Sequence, residues 1–172
     1  MSLVAGDMAR RRYPPQVPLR VCGLLQTRVM QVAIIHESLT GNTERAAWLM
    51  GDAFWRRGIS TRLFPITEID EAVVAAADMV IVGSWTDGLL IVGQRPGRGG
   101  RLKKLLPPLD GKRAAVYCTY AIAPGGTLKK LQKRVEGHGG QVVGGLAIRR
   151  DDLEAGAESF VAQLAGHLSP TR

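Results

Sequence analysis

From Met30 onward the chain alternates apolar blocks with amphipathic ones. Met30 to His36 is almost wholly apolar and rich in β-branched residues, the pattern of a strand covered on both faces. Glu44 to Arg57 then has helical spacing. Ala46, Ala47, Leu49, Met50, Ala53 and Phe54 fall on one broad face, and Gly58 supplies a stop. Ser60 to Phe64 reads as a second strand ended by Pro65, and Glu68 to Ala77 as a short helix with Thr67 as its N-cap. Asp78 to Gly83 contains the third strand. A long loop is expected from Ser84 to about Gly100, rich in Gly and Arg in its second half. Arg101 to Leu106 is a short helix halted by Pro107-Pro108. Lys112 to Thr119 is a fourth strand, Thr127 to Gly137 a helix, Gln141 to Ile148 a fifth strand and Asp152 to Leu168 a closing helix.

Five apolar strands separated by helices predict an α/β fold of three layers, with a five-stranded parallel sheet between two layers of helices. Right-handed crossovers leave few strand orders, and 2-1-3-4-5 is one of them. At 172 residues and 45% hydrophobic, the chain has material for one core. The domain is expected over residues 30–168. Residues 1–29 are expected to form a basic N-terminal extension, disordered or a targeting segment, with five arginines against Asp7.

In open α/β sheets ligands bind beyond the carboxyl ends of the strands, where the strand order reverses. Here that place is the loop Ser38-Leu39-Thr40-Gly41-Asn42-Thr43. Four of its side chains are short hydrogen-bond donors, Gly41 lets the backbone approach a ligand closely, and the following helix presents free N–H groups. This is an anion site that needs no Lys or Arg. Neither a Gly-Lys-Ser/Thr triplet nor a GxGxxG pattern occurs here. Hydroxyl donors suit a terminal phosphomonoester better than a bridging pyrophosphate.

Ile34 to Glu44 resembles the flavodoxin signature, in which a strand leads into Ser/Thr-x-Thr-Gly-Asn-Thr. The likeness in strand order covers roughly residues 30–168. The resemblance implies a flavodoxin-like fold whose loop Ser38 to Thr43 wraps the phosphate of FMN. His36 and Glu37 depart from the family, which often has an aromatic and a small residue there. Flavodoxins sandwich the flavin ring between the loops after the third and fourth strands. That implies Trp85 and Tyr120 as flanking residues, with the backbone of Ser84, Trp85, Thr86 and Asp87 and of Thr119, Tyr120 and Ala121 at the ring's polar edge. The implied function is electron transfer, or small flavin-dependent redox chemistry, with a redox partner protein or NAD(P)H. The alternative is a flavodoxin-fold interaction module that has lost FMN.

Charge modifies that picture. The formal net charge is +8, with clusters at Arg95, Arg98, Arg101, Lys103 and Lys104 and at Lys129, Lys130, Lys133 and Arg134. Flavodoxin carriers usually present an acidic face. An arginine about 8 Å from a reduced flavin, at an effective dielectric near 20, favours the added negative charge by roughly 2 kcal/mol, on the order of 90 mV for one electron. Nucleic acid is disfavoured as a partner because aromatic residues do not interleave the basic clusters. Cys22 and Cys118 lack metal-ligand or CxxC spacing, no metal site is expected, and a reducing cytoplasmic setting is the simpler expectation. No run is long enough for a membrane helix.

Overall fold

Parallel strands built from unbroken apolar runs demand cover on both faces, and the helices supply it. The computed structural model describes residues 29–89 and 92–168. Apart from Val29, the expected N-terminal extension lies outside the described residues. The elements are β1 (Gln31–His36), α1 (Asn42–Trp55), β2 (Ser60–Pro65), α2 (Glu71–Ala76), β3 (Met79–Leu89), β4 (Val92–Pro96), α3 (Gly99–Leu105), β5 (Arg113–Tyr120), α4 (Thr127–Gly137), β6 (Gln141–Arg149) and α5 (Leu153–Ala165). No helix among the described residues is long and apolar enough to cross a membrane.

Five strands pair in parallel in the order β2-β1-β3-β5-β6, which is the 2-1-3-4-5 order of the five expected strands. The sixth strand is a correction. Ser84 to Gly100 is not a loop: β3 runs on to Leu89, and β4 returns antiparallel along it, pairing Leu89 with Val92, Asp87 with Arg95 and Thr86 with Pro96. The cause is local. Past Trp85 the strand has left its parallel neighbours at the carboxyl edge of the sheet, and its backbone groups take β4 as an antiparallel partner.

The core has two halves. On one face, α1 and α5 set Met50, Phe54, Phe160 and Val161 against Ile34, Ile81 and Tyr117. On the other, Val74 of α2, Leu102 of α3, and Leu131 and Val135 of α4 meet Ile35, Val80, Val82 and Val116. Each large apolar side chain so buried contributes about 1.5–3 kcal/mol. Helix α2 starts later than its expected Glu68. Asp70, not Thr67, is its N-cap, accepting a hydrogen bond from the Val73 N–H at 3.2 Å, while Glu68 N–H closes a turn on the Pro65 carbonyl. At the sheet centre Gly83 leaves the space that the Tyr117 ring fills. A β-carbon there would stand 2.0 Å from the phenol ring.

Candidate functional site

The carboxyl ends of β1, β3 and β5 lie side by side. His36 is in register with Gly83, Ser84 with Cys118, and Trp85 with Thr119. The loop from Ser38 to Thr43 therefore opens beside the segments that carry Trp85 and Tyr120.

Within that loop the hydrogen bonds divide in one direction. Gly41, at φ +85°, is the N-cap residue of α1 and no side chain caps the helix. A β-carbon at Gly41 would meet nothing within 4 Å, so open space faces the loop there. Ser38 Oγ accepts from the Gly41 N–H at 3.1 Å, and Thr40 Oγ1 accepts from Asn42 Nδ2 at 3.1 Å. Each hydroxyl thus uses a lone pair internally and keeps its O–H proton for an outside acceptor. Leu39 projects into solvent, 58% exposed. A mouth with free donors and uncapped N–H groups fits a phosphate dianion.

Thr43 takes a different place from its neighbours. Its side chain is buried, and its Oγ1 lies 2.8 Å from Thr119 Oγ1, while its carbonyl accepts from Tyr117 Oη at 2.9 Å. This residue ties the first turn of α1 to β5.

The hairpin arranges the second wall. Ser84 is fully buried, with its hydroxyl donating to the Gly97 carbonyl at 3.2 Å. Gly97 returns its N–H to the Trp85 carbonyl. The half-buried Trp85 indole rests against Gly97, where a β-carbon would fall 1.9 Å from the ring, and the Arg98 guanidinium sits 5.9 Å from the ring centroid. Part of the indole is therefore engaged by the chain itself. Thr86 is half-buried beside the Cys118 thiol, whose pKa burial pushes up to about 11 against a smaller opposing pull from the Thr86 hydroxyl. Asp87 pairs with Arg95 at 3.5 Å. Tyr120 is half-buried at the end of β5, Ala121 is exposed, and Ile122 is 71% exposed.

Sequence reasoning missed the ion pairs at the loop entrance. Glu37 is 3% exposed, with its Oε1 3.3 Å from Arg98 and 3.5 Å from Arg101, and its backbone N–H donates to the Gly83 carbonyl. The two arginines neutralise a carboxylate that would otherwise oppose an anion in the adjoining loop, and Glu37 in turn offsets part of their charge. Its Oε2 and the neighbouring His36 Nδ1 are buried with no partner among the described residues. Burial holds the His36 pKa below the ordinary imidazole value, against an opposing pull from Glu44. The departure of His36 and Glu37 from the expected residue types was the signal available in the sequence. No group of acidic, His and Cys side chains that could hold a metal occurs among the described residues.

A family model described as the flavodoxin domain matches residues 33–138, more than half of the chain. The chain belongs to the flavodoxin family. Flavodoxins are FMN-binding flavoproteins, and the loop donors described above fit the phosphate of that cofactor. Solved structures share the fold. Two-electron reduced Megasphaera elsdenii flavodoxin is 22% identical with a TM-score of 0.61, over 76% of this chain and 98% of that one. Oxidised Flavodoxin 1 from Bacillus cereus is 22% identical with a TM-score of 0.61, over 81% and 99%. Rubredoxin oxygen:oxidoreductase from Desulfovibrio gigas is 20% identical with a TM-score of 0.57, over 81% of this chain but 37% of that one. No curated protein sequence matches the chain.

Proposed function

We propose that this flavodoxin-family chain holds FMN and passes electrons to a redox partner protein. The observation that carries the reading is the loop from Ser38 to Thr43, in which internal hydrogen bonds leave the Ser38 and Thr40 hydroxyl protons and the α1 N–H groups to an outside acceptor. In this reading Ser38, Thr40, Asn42 and the backbone of Gly41 and Thr43 hold the phosphate. Leu39 contributes through its backbone, since its side chain projects into solvent. Trp85 and Tyr120 flank the ring, and the backbone of Ser84 to Asp87 and of Thr119 to Ala121 meets its polar edge. FMN supplies reversible uptake of one or two electrons. The chain's own part is to orient it, to exclude water with the hairpin, and to set the charge around it through Glu37, Arg98 and Arg101. A cytoplasmic setting accords with Cys118 remaining a buried free thiol.

The test is calorimetric titration of the flavin-free chain with FMN. Binding is expected with the parent. Ser38→Ala/Thr40→Ala is expected to weaken it by about 3–6 kcal/mol, the loss of two hydrogen bonds to a charged acceptor. No heat with the parent would remove the redox reading and leave the interaction module. Bleaching of the loaded protein by NADH or NADPH alone would make it an NAD(P)H oxidoreductase instead of a carrier.

A further inference from the structure

Among the described residues the excess positive charge is gathered on one face. Residues 92–106 and 127–138, which build β4, α3 and α4, hold nine cations (Arg95, Arg98, Arg101, Lys103, Lys104, Lys129, Lys130, Lys133 and Arg134) against Glu136 alone, a net +8. That equals the formal charge of the whole chain. The other described residues hold eight cations against 13 acids, a net −5, while residues 1–28, outside the described residues, hold five arginines against Asp7.

The two segments form one continuous surface. Lys130 Nζ donates to the Gln94 carbonyl of β4, Gln94 Nε2 donates to the Ala123 carbonyl at 3.1 Å, and His138 Nε2 lies 3.1 Å from the Lys103 carbonyl. Gly99 packs on the Arg134 guanidinium. Lys103, Lys104, Lys129 and Lys133 are exposed and make no ion pair among the described residues. Setting so many like charges on neighbouring helices works against folding, since each cation raises the cost of the next. The face also reaches the candidate site, because Arg98 belongs to it and stands over Trp85. At that border Ile122 is 71% exposed, an apolar contact beside a charged rim.

We propose that the α3–α4–β4 face is the docking surface for an acidic redox protein, which it steers onto the carboxyl edge of the sheet. The inference rests on the electron-transfer reading and adds the chemistry of the partner. A polyanion such as nucleic acid fits less well, because the basic residues are not interleaved with exposed aromatic side chains on which bases stack. Among the described residues the charge separation, positive here and negative elsewhere, turns an approaching acidic molecule toward the site and repels a basic one.

The experiment uses two probes of opposite charge, an acidic plant-type ferredoxin and a basic c-type cytochrome, at ionic strengths from about 0.01 to 0.5 M, where screening lengths contract severalfold. Bimolecular electron-transfer rates are measured with the FMN-loaded chain, and binding of fluorescently labelled ferredoxin is measured with the FMN-free chain. The ferredoxin rate is expected to fall at least tenfold as salt rises, and the cytochrome rate to rise. Lys129→Glu/Lys133→Glu should remove or invert both slopes. Arg62→Glu/Arg113→Glu, an equal change in net charge on β2 and at the amino end of β5, outside the basic face, should leave most of the effect. Equal responses of the two variants would overturn the proposal, since net charge alone would then suffice. Tighter binding of a duplex oligonucleotide or an anionic vesicle than of ferredoxin, lost in the Lys129→Glu/Lys133→Glu variant, would overturn it as well. Because ferredoxin binding is read without flavin, failure to bind FMN removes the carrier reading and leaves the docking result to be judged by itself.

Discussion

At the scale of single residues, the loop after β1 separates two roles that its sequence presents as one. Ser38 and Thr40 face outward with hydroxyl protons to give, whereas Thr43 is committed to Thr119 and to the packing of α1 on β5. Replacing Thr43 alone by Val strands the buried Thr119 hydroxyl, at an expected cost of about 1–3 kcal/mol. Thr43→Val/Thr119→Val should recover much of that, because both ends of the bond then become apolar. Urea denaturation of the two single variants and the double variant reads the coupling. Cys118 makes a second prediction. Burial raises its pKa to about 11, so its thiolate is scarce near neutral pH. Iodoacetamide should spare Cys118 in the folded chain and label it in urea, with peptide mass spectrometry separating it from Cys22.

At the scale of elements, the apolar periodicity of the chain made five strands and five helices legible, because buried parallel strands leave continuous hydrophobic runs that polar segments cannot imitate. The phosphate loop was legible for a related reason, since small donors, a glycine and a helix start are adjacent in sequence. The hairpin was not. Its glycines and arginines read as loop, while the pairing of β4 on β3 depends on a partner strand and on the close approach of Gly97 to Trp85, neither of which periodicity encodes. Nor could spacing show that Arg98 and Arg101, more than 60 positions on, meet Glu37 at the end of β1. These ion pairs tie the hairpin and α3 to the sheet. Removing the carboxylate by Glu37→Gln is expected to cost about 1–2 kcal/mol, less than a fully buried pair because both arginines are nearly half exposed. Amide hydrogen exchange should show the loss as faster opening of β4 and α3, with α1 and α5 unchanged.

At the scale of the whole molecule, stability should follow pH in two stages. His36 has its pKa lowered by burial, so the unfolded chain takes up a proton that the folded chain resists. Stability is therefore full above the ordinary imidazole value of about 6.5 and declines as pH falls below it, levelling once the folded histidine also protonates. Glu158, held low by Arg57 and Arg56, and Asp151, held low by Arg149, are shifted in the same direction as His36 but titrate lower. Their contribution is present above the normal carboxylate range and is lost as pH falls below about 4. Thermal denaturation across pH 2–8 should show both stages, and His36→Gln should flatten the upper one.

Tyr117 carries a practical consequence. Its ring fills the gap left by Gly83 on β3, and its hydroxyl holds the Thr43 carbonyl in the opening turn of α1, so one phenol touches three elements that converge on the anion loop. It is a built-in gauge: a vibrational label on this one tyrosine would register, from inside the core, whether an occupant in the loop pulls the helix start away from the sheet.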